Sequence, residues 1–380
     1  MTDDFVEEQE AESAEDGPPG AAAEIPPPRA NPYLAGHEAA EAALIAAHAA
    51  GRLPHALILG GPRGIGKATL AFRLARFLLA QGEAGNGLFA AAPPATLALS
   101  PEHPVFRRVA AAGHADLLTV ERGRDPKRKD RLRGEIIVED TRNAINFLRL
   151  TPAEGGWRIV IFDSADEMNR NAANAVLKVL EEPPTRSLLI LVSHAPGRLL
   201  PTIRSRCRKL MLKPLAEGEV VRLLQRYRPE LATPEAQALA MLGEGSIGRA
   251  LELAAAGGLD LYRSLSGFLR ALPELDTTAI HAFAEHLARA EAEEAYRTVS
   301  ALLLQWLARM VGLTAQGRAG AEIVPGDHEA MRRLAGRRSL DHWVEVWEKI
   351  ARLFAQAESL DLERKQVVLG AFFALEAAAR

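Results

Sequence analysis

The chain has 380 residues, 48% of them hydrophobic, which is enough for two or three domains with real cores. Its formal charge is −3 and it carries one cysteine, Cys207, which excludes a disulfide framework and a cysteine zinc site. No apolar run approaches the length that spans a bilayer, and the acidic N-terminus lacks an apolar signal segment, so the expected compartment is the cytoplasm.

Residues 1–28 hold nine acidic side chains and no basic one, and end in Pro26-Pro27-Pro28. They read as a disordered, solubilising tail, because such a composition cannot bury enough apolar surface to offset the entropy of ordering. The rest of the chain is mildly basic, which suits phosphate or nucleic-acid contact without requiring it. From about Asn31 to Pro214, short apolar runs alternate with helical patterns. The runs are His55 to Gly60, Leu117 to Val120, Arg158 to Phe162 and Leu188 to Val192, and a helix pattern occupies Lys67 to Leu79. Strands alternating with helices predict a parallel sheet covered on both faces. Residues 82–105, rich in Gly, Ala and Pro, read as an irregular insertion. Residues 122–133 hold seven basic and two acidic side chains and read as a solvated loop in preference to a DNA contact.

From Ala216 onward no strand pattern is present. Residues 216–255 read as a small helical unit, Gly257-Gly258 as a break, and residues 259–380 as helical throughout, with Leu302-Leu303-Leu304, Trp306 and Leu307 marking a buried stretch. The expected organisation is thus a tail (1–28), an α/β domain (29–214), a helical lid (215–257) and an all-α C-terminal domain (258–380).

Residues 61–68 read GPRGIGKA and match G-x-x-x-x-G-K at Gly61, Gly66 and Lys67, with Gly64 between them. An apolar strand precedes and a helix follows, as a phosphate loop requires. Glycines let backbone N–H groups turn toward phosphates, the helix N-terminus adds a favourable field, and Lys67 supplies a point charge. The motif wants Ser or Thr next, because that hydroxyl helps to hold Mg²⁺. Ala68 has no oxygen to offer, and Thr69 comes one residue late, a rotation of about 100° that predicts a different direction for its hydroxyl. A nucleotide held here has a poorly anchored metal. Residues 158–163, RIVIFD, read as a buried strand that delivers Asp163 to its C-terminal edge, where ligand sites of parallel sheets lie. Asp163 reads as the Mg²⁺-side aspartate of such a site. Asp166 and Glu167 follow closely and read as acidic residues favouring the N-terminus of the next helix, in preference to a displaced catalytic base.

The stretch from Asn171 to Thr185 reads NAANAVLKVLEEPPT, a helix stopped by Pro183-Pro184, and Ser205-Arg206-Cys207 follows twenty residues later. Together with Gly36-His37 and Leu53-Pro54-His55-Ala56, these motifs closely resemble the clamp-loader branch of AAA+ proteins over about residues 29–255. The resemblance implies a P-loop AAA+ α/β domain, a small helical lid and a C-terminal domain that forms a collar with its neighbours. In hydrolysing members the residue after the Walker B aspartate is a glutamate that polarises water; here it is Ser164, too weak a base for that work near neutral pH. Motor subunits of the branch, gamma and tau, also keep the hydroxyl missing at Ala68 and usually four zinc cysteines. The chain therefore resembles the delta-prime type: a non-hydrolysing subunit, holding ATP or ADP weakly and no zinc. Its implied partners are gamma/tau motors, a delta subunit, the sliding clamp and primer-template DNA. By position, Arg206 resembles an arginine finger reaching a neighbour's ATP, Ser193 and His194 occupy the sensor 1 position, and Arg249 occupies the sensor 2 position. A working gamma/tau-type ATPase is the alternative. A helicase loader is a more distant one, disfavoured by the Ser-Arg-Cys triplet.

Overall fold

The structure is a computed structural model and describes residues 25–83, 95–125, 132–316, 321–360 and 362–380. Most of the acidic tail, residues 84–94 of the expected insertion and residues 126–131 of the basic stretch lie outside the described residues.

The chain opens with α1 (Glu38–Ala49), β1 (Ala56–Gly60) and α2 (Lys67–Glu83). Next come α3 (Pro104–Ala110), β2 (Leu117–Val120), α4 (Val138–Arg149) and β3 (Arg158–Asp163). Then α5 (Arg170–Glu181), β4 (Ser187–Ser193), α6 (Pro201–Arg206) and β5 (Arg208–Met211) complete the α/β part. All five strands run parallel in the order β2-β3-β4-β1-β5. Alternation along the strands sorts their side chains between two cores. Leu57, Leu59, Ile159, Ile161, Leu188 and Ile190 meet Leu44, Leu70, Leu74 and Val105 from α1–α3 on one face. On the other face Ile58, Val160, Phe162, Leu189 and Leu191 meet Ala144, Ile145, Val176 and Ile203 from α4–α6. The parallel sheet covered on both faces is therefore present as expected from the runs of apolar residues.

Two elements were not anticipated. β5 is an edge strand beginning Arg208-Lys209, both exposed, so it lacks the continuous apolar run that marks a buried strand. α3 begins at Pro104, at the end of the expected irregular insertion, with the side chain of His103 accepting from the Val105 N–H at 3.2 Å.

The remaining elements are helical: α7 (Glu217–Tyr227), α8 (Thr233–Gly243), α9 (Ile247–Ala255), α10 (Gly258–Ala271), α11 (Thr277–Ala288), α12 (Glu293–Gln316), α13 (Asp327–Ala335), α14 (Leu340–Leu360) and α15 (Arg364–Ala379). One hydrophobic core runs from Leu215 through Leu224, Leu239, Tyr262, Trp306 and Trp343 to Ala379. It crosses the Gly257-Gly258 junction, so the helices on either side of that junction are packed as one body. By length and composition alone, residues 290–315 could cross a membrane, an exception to the reading that no such segment exists. In this fold, Leu302, Leu303, Trp306 and Met310 of that stretch are buried in the shared core.

Candidate nucleotide site and the family it belongs to

The loop between β1 and α2 carries Gly61, Gly64 and Gly66 at φ of 144°, 74° and 98°. These angles are open to glycine and strained for other residues, so the turn that aims the loop's N–H groups depends on them. The loop floors a cavity of about 620 Å³, within the usual range of small-molecule sites. Arg63, Gly64, Gly66, Lys67, Ala68, Thr69, Asp163, Ser164 and His194 all line it. Thr69 is 8% exposed and also lines the cavity.

Lys67 is buried, and its Nζ donates to the Pro62 carbonyl inside its own loop. Burial pushes its pKa down to about 8, against the attraction of Asp163 and Asp166. Burial likewise raises Asp163 to about 6, reinforced by Glu121 and opposed by Lys67. Both groups are thus largely desolvated, and burial draws both pKa values toward neutrality. His194, on the cavity wall, is lowered by burial and by Lys67.

Asp163 and Ser164 close β3 side by side. Ser164 is 3% exposed, lines the cavity, and its Oγ has no hydrogen-bond partner among the described residues. An orphaned hydroxyl beside a buried lysine and a glycine cradle suits an oxygen-rich anion such as a nucleotide phosphate. For a Mg²⁺ the position after Lys67 supplies no oxygen, since it is Ala68; the carboxylates on the cavity wall include Asp163, Glu121 and Glu167, the last paired with Arg122.

Asp166 does not serve a helix N-terminus. It lies in a 3₁₀ turn, Ala165–Glu167, and α5 is capped instead by Asn169, whose side chain accepts from Ala172 N–H at 2.9 Å. Asp166 accepts from Ser193 Oγ at 2.7 Å and from the His194 N–H. Ser193 is thereby turned away from the cavity while His194 lines it. Glu167 pairs with Arg122 at 2.9 Å on the cavity rim.

Two candidate arginines stand apart. Arg206 ends α6, outside the cavity of its own chain, paired with Glu181 at 2.9 Å and donating to Thr202 O at 3.2 Å. Arg249 is also absent from the cavity lining: its guanidinium reaches Gln305 Oε1 at 2.7 Å and Glu244 at 3.4 Å. Sequence reasoning missed His37, which is buried beneath the loop with Nε2 at 2.6 Å from Ile65 O; the Gly36-His37 pair was visible only as part of a motif. It also missed the contact of Ser246 to Gly248 with Gly64, for which the sequence carries no local signal.

The DNA polymerase III delta subunit family matches residues 36–216, the segment that holds the sheet, the glycine loop and Asp163. That segment is similar to this family over 181 of the chain's 380 residues. A DNA polymerase III subunit delta' of Pseudomonas aeruginosa is 39% identical over 153 residues, 40% of this chain and 41% of that relative. A DNA polymerase III subunit tau of Escherichia coli K12 is 30% identical over 207 residues, 53% of this chain and 29% of that relative. The chain thus matches less than half the length of either. Among solved structures, a DNA polymerase III gamma subunit-related protein from Thermotoga maritima is 19% identical, covering 86% of this chain and 95% of its own, at a TM-score of 0.34. At that score it adds nothing to the case for the fold, which rests on the sheet and loop above.

A pH dependence follows from the raised carboxyl of Asp163. A raised carboxyl contributes stability that is complete below its unfolded pKa and lost as pH rises through its folded value, here about 6. Asp163→Asn should therefore match the parent near pH 4 and exceed its stability at pH 7.5 by about 1–2 kcal/mol, part of the gain being returned because Lys67 loses its counter-charge. Urea denaturation at the two pH values checks it, and equal differences at both would contradict the buried, uncompensated carboxylate.

Proposed function

We propose that this clamp-loader family member is of the delta-prime type: a subunit that helps to load the sliding clamp onto primer-template DNA without hydrolysing ATP itself. Its partners are gamma/tau motor subunits and a delta subunit, in the cytoplasm. Residues 29–214 serve as the AAA+ domain, 215–257 as the lid and 258–380 as the main oligomerisation element. ATP or ADP is held weakly at Gly61 to Lys67, and Arg206 acts on a neighbour's nucleotide.

One observation carries the reading. The cavity keeps its phosphate cradle but presents Ala68 and Ser164 where hydrolysis needs a metal-side hydroxyl and a water-polarising carboxylate. Of the acids around the cavity, Asp166 is committed to Ser193 and the His194 amide and Glu167 to Arg122, while Glu121 stands on the wall beside Asp163 and not at the position that follows it on β3. Were the metal and a nucleotide bound, the nucleotide would supply the phosphoanhydride; this chain's own part ends at holding phosphate oxygens with Lys67, the loop amides and the Ser164 hydroxyl. The gamma/tau alternative draws on the intact glycine–lysine loop and the likeness to a tau subunit.

Steady-state ATPase of the pure chain separates the two. The expected result is no turnover above the level of a Lys67→Ala variant, with and without primed DNA. Rapid turnover abolished by Lys67→Ala would replace the delta-prime reading with the motor one.

A further inference from the structure

The turn between α8 and α9 is gripped from two sides. On one side it meets the phosphate loop. The Gly248 N–H donates to Gly64 O at 2.9 Å, and the two glycines touch: a Cβ on Gly64 would lie 3.0 Å from Gly248 Cα, and a Cβ on Gly248 would lie 2.8 Å from Gly64 Cα. Ser246 Oγ, which accepts from Arg249 N–H at 3.1 Å and so caps α9, stands where the same Gly64 Cβ would go. Neither backbone approach tolerates a side chain.

On the other side the turn meets the C-terminal helices. Gln305, on α12, is 7% exposed. Its Oε1 accepts from Arg249 Nη2 at 2.7 Å and its Nε2 donates to Leu242 O at 3.0 Å. Leu242 lies in the last turn of α8, whose carbonyls have no partner within the helix, and Arg249 lies in the first turn of α9. One amide thus joins the end of one helix to the beginning of the next. The intervening Glu244 and Gly245 are both left-handed, at φ of 50° and 78°, and Leu215 N–H donates to Gly245 O at 2.9 Å. Buried side-chain amides with both ends satisfied hold a single geometry, because any other arrangement leaves a polar group orphaned.

We propose that Gln305 is a positioning residue for the phosphate loop. Through Arg249 and Leu242 it fixes the α8–α9 turn from the C-terminal block, and the turn in turn clamps Gly64. Arg249 is then a strut of this joint, and its guanidinium is occupied there rather than in the cavity. The loop's geometry is set by α12, some sixty residues away in sequence from the turn it controls. The inference stands on the contacts above and does not depend on the clamp-loader reading.

Residue-resolved amide hydrogen exchange on the full chain tests it, with the Gly248 N–H as the reporter because its acceptor is the loop itself. Gln305→Leu, close in volume but unable to bond either partner, should speed exchange at Gly248 at least tenfold. Exchange within β1, β3 and β4 and along α12 should stay as in the parent. Arg249→Ala should act in the same direction, and Gln305→Glu, which keeps an acceptor for Arg249, should restore part of the protection. A purely structural role of Gln305 in its own helix would instead raise exchange along α12 and leave Gly248 protected. Unchanged Gly248 exchange in both Gln305→Leu and Arg249→Ala overturns the proposal. If Gln305→Leu loosens α12 as a whole, Arg249→Ala alone decides.

Discussion

Arg206→Ala, introduced into an otherwise intact clamp-loader complex, is expected to leave assembly unchanged and to abolish most turnover at the one ATP site it faces. The side chain is 38% exposed and lies outside its own chain's cavity, which leaves it free for the trans role proposed above. Its partner Glu181 is 53% exposed, and a pair so solvated is worth no more than about 1 kcal/mol. Against that, an arginine supplied in trans to a transferring phosphoryl group accounts for about 10³ to 10⁵ in rate. The ion pair can therefore hold the guanidinium ready without competing seriously with a γ-phosphate. Because other sites in such a complex keep their own arginines, total DNA-stimulated ATPase should fall only in part, whereas clamp loading, which needs the sites to act together, should fall further. Arg206→Lys should recover little, since an ammonium cannot reproduce the two-pronged contact of a guanidinium. Glu181→Ala should change loading by no more than a few-fold. Normal clamp loading by Arg206→Ala across a range of ATP concentrations would reduce Arg206 to a surface residue and remove the trans-acting mechanism.

The residues that announce themselves in the sequence are those whose chemistry is local. Four strands are legible because β1, β3 and β4 are buried on both faces and so are apolar throughout, and β2 borrows enough of that character. The edge strand β5 is not, because an edge needs only alternation and tolerates Arg208 and Lys209. Gly61, Gly66 and Lys67 are legible because the loop's φ angles and its charge come from consecutive residues. The deficits at Ala68 and Ser164 are legible for the same reason. Asp166 is misread from sequence because its partners, Ser193 and the His194 amide, lie on another strand; the nearer signal, a carboxylate just ahead of a helix, points the wrong way. Arg249 is the stronger case. Its position relative to Gly245-Ser246 suggests the cavity, but its guanidinium bonds Gln305, fifty-six residues later, and Glu244. Local pattern fixes where a residue sits on its helix, and only packing fixes which of two neighbouring spaces a long side chain enters.

Trp306→Ala is expected to uncouple the two halves of the molecule. Trp306 is fully buried on α12 in the core that runs from Leu215 to Ala379, and that core is separate from the two that sandwich the sheet. Truncating a buried Trp costs about 3–5 kcal/mol in transfer and cavity terms, a large share of the about 5–15 kcal/mol that holds a domain folded. The loss falls on the helical half alone. With a urea m-value of about 1–3 kcal/mol/M, the helical midpoint should drop by more than 1 M while the sheet keeps its own. The chain carries its own probes: of its four tryptophans, Trp343 and Trp347 remain in the helical half and Trp157 stands just ahead of β3. Fluorescence of Trp343 and Trp347 should therefore report an early transition, Trp157 and amide protection in β1 and β4 a late one, with circular dichroism showing both. The phosphate loop should feel the first transition even though its strand survives, because the Gly248–Gly64 contact is lost with α9. A single coincident transition by all three probes would mean that the sheet and the helices unfold as one unit, coupled through the Gly64–Gly248 clasp together with the Asn31–Tyr227 hydrogen bond and the Arg226–Tyr33 stack.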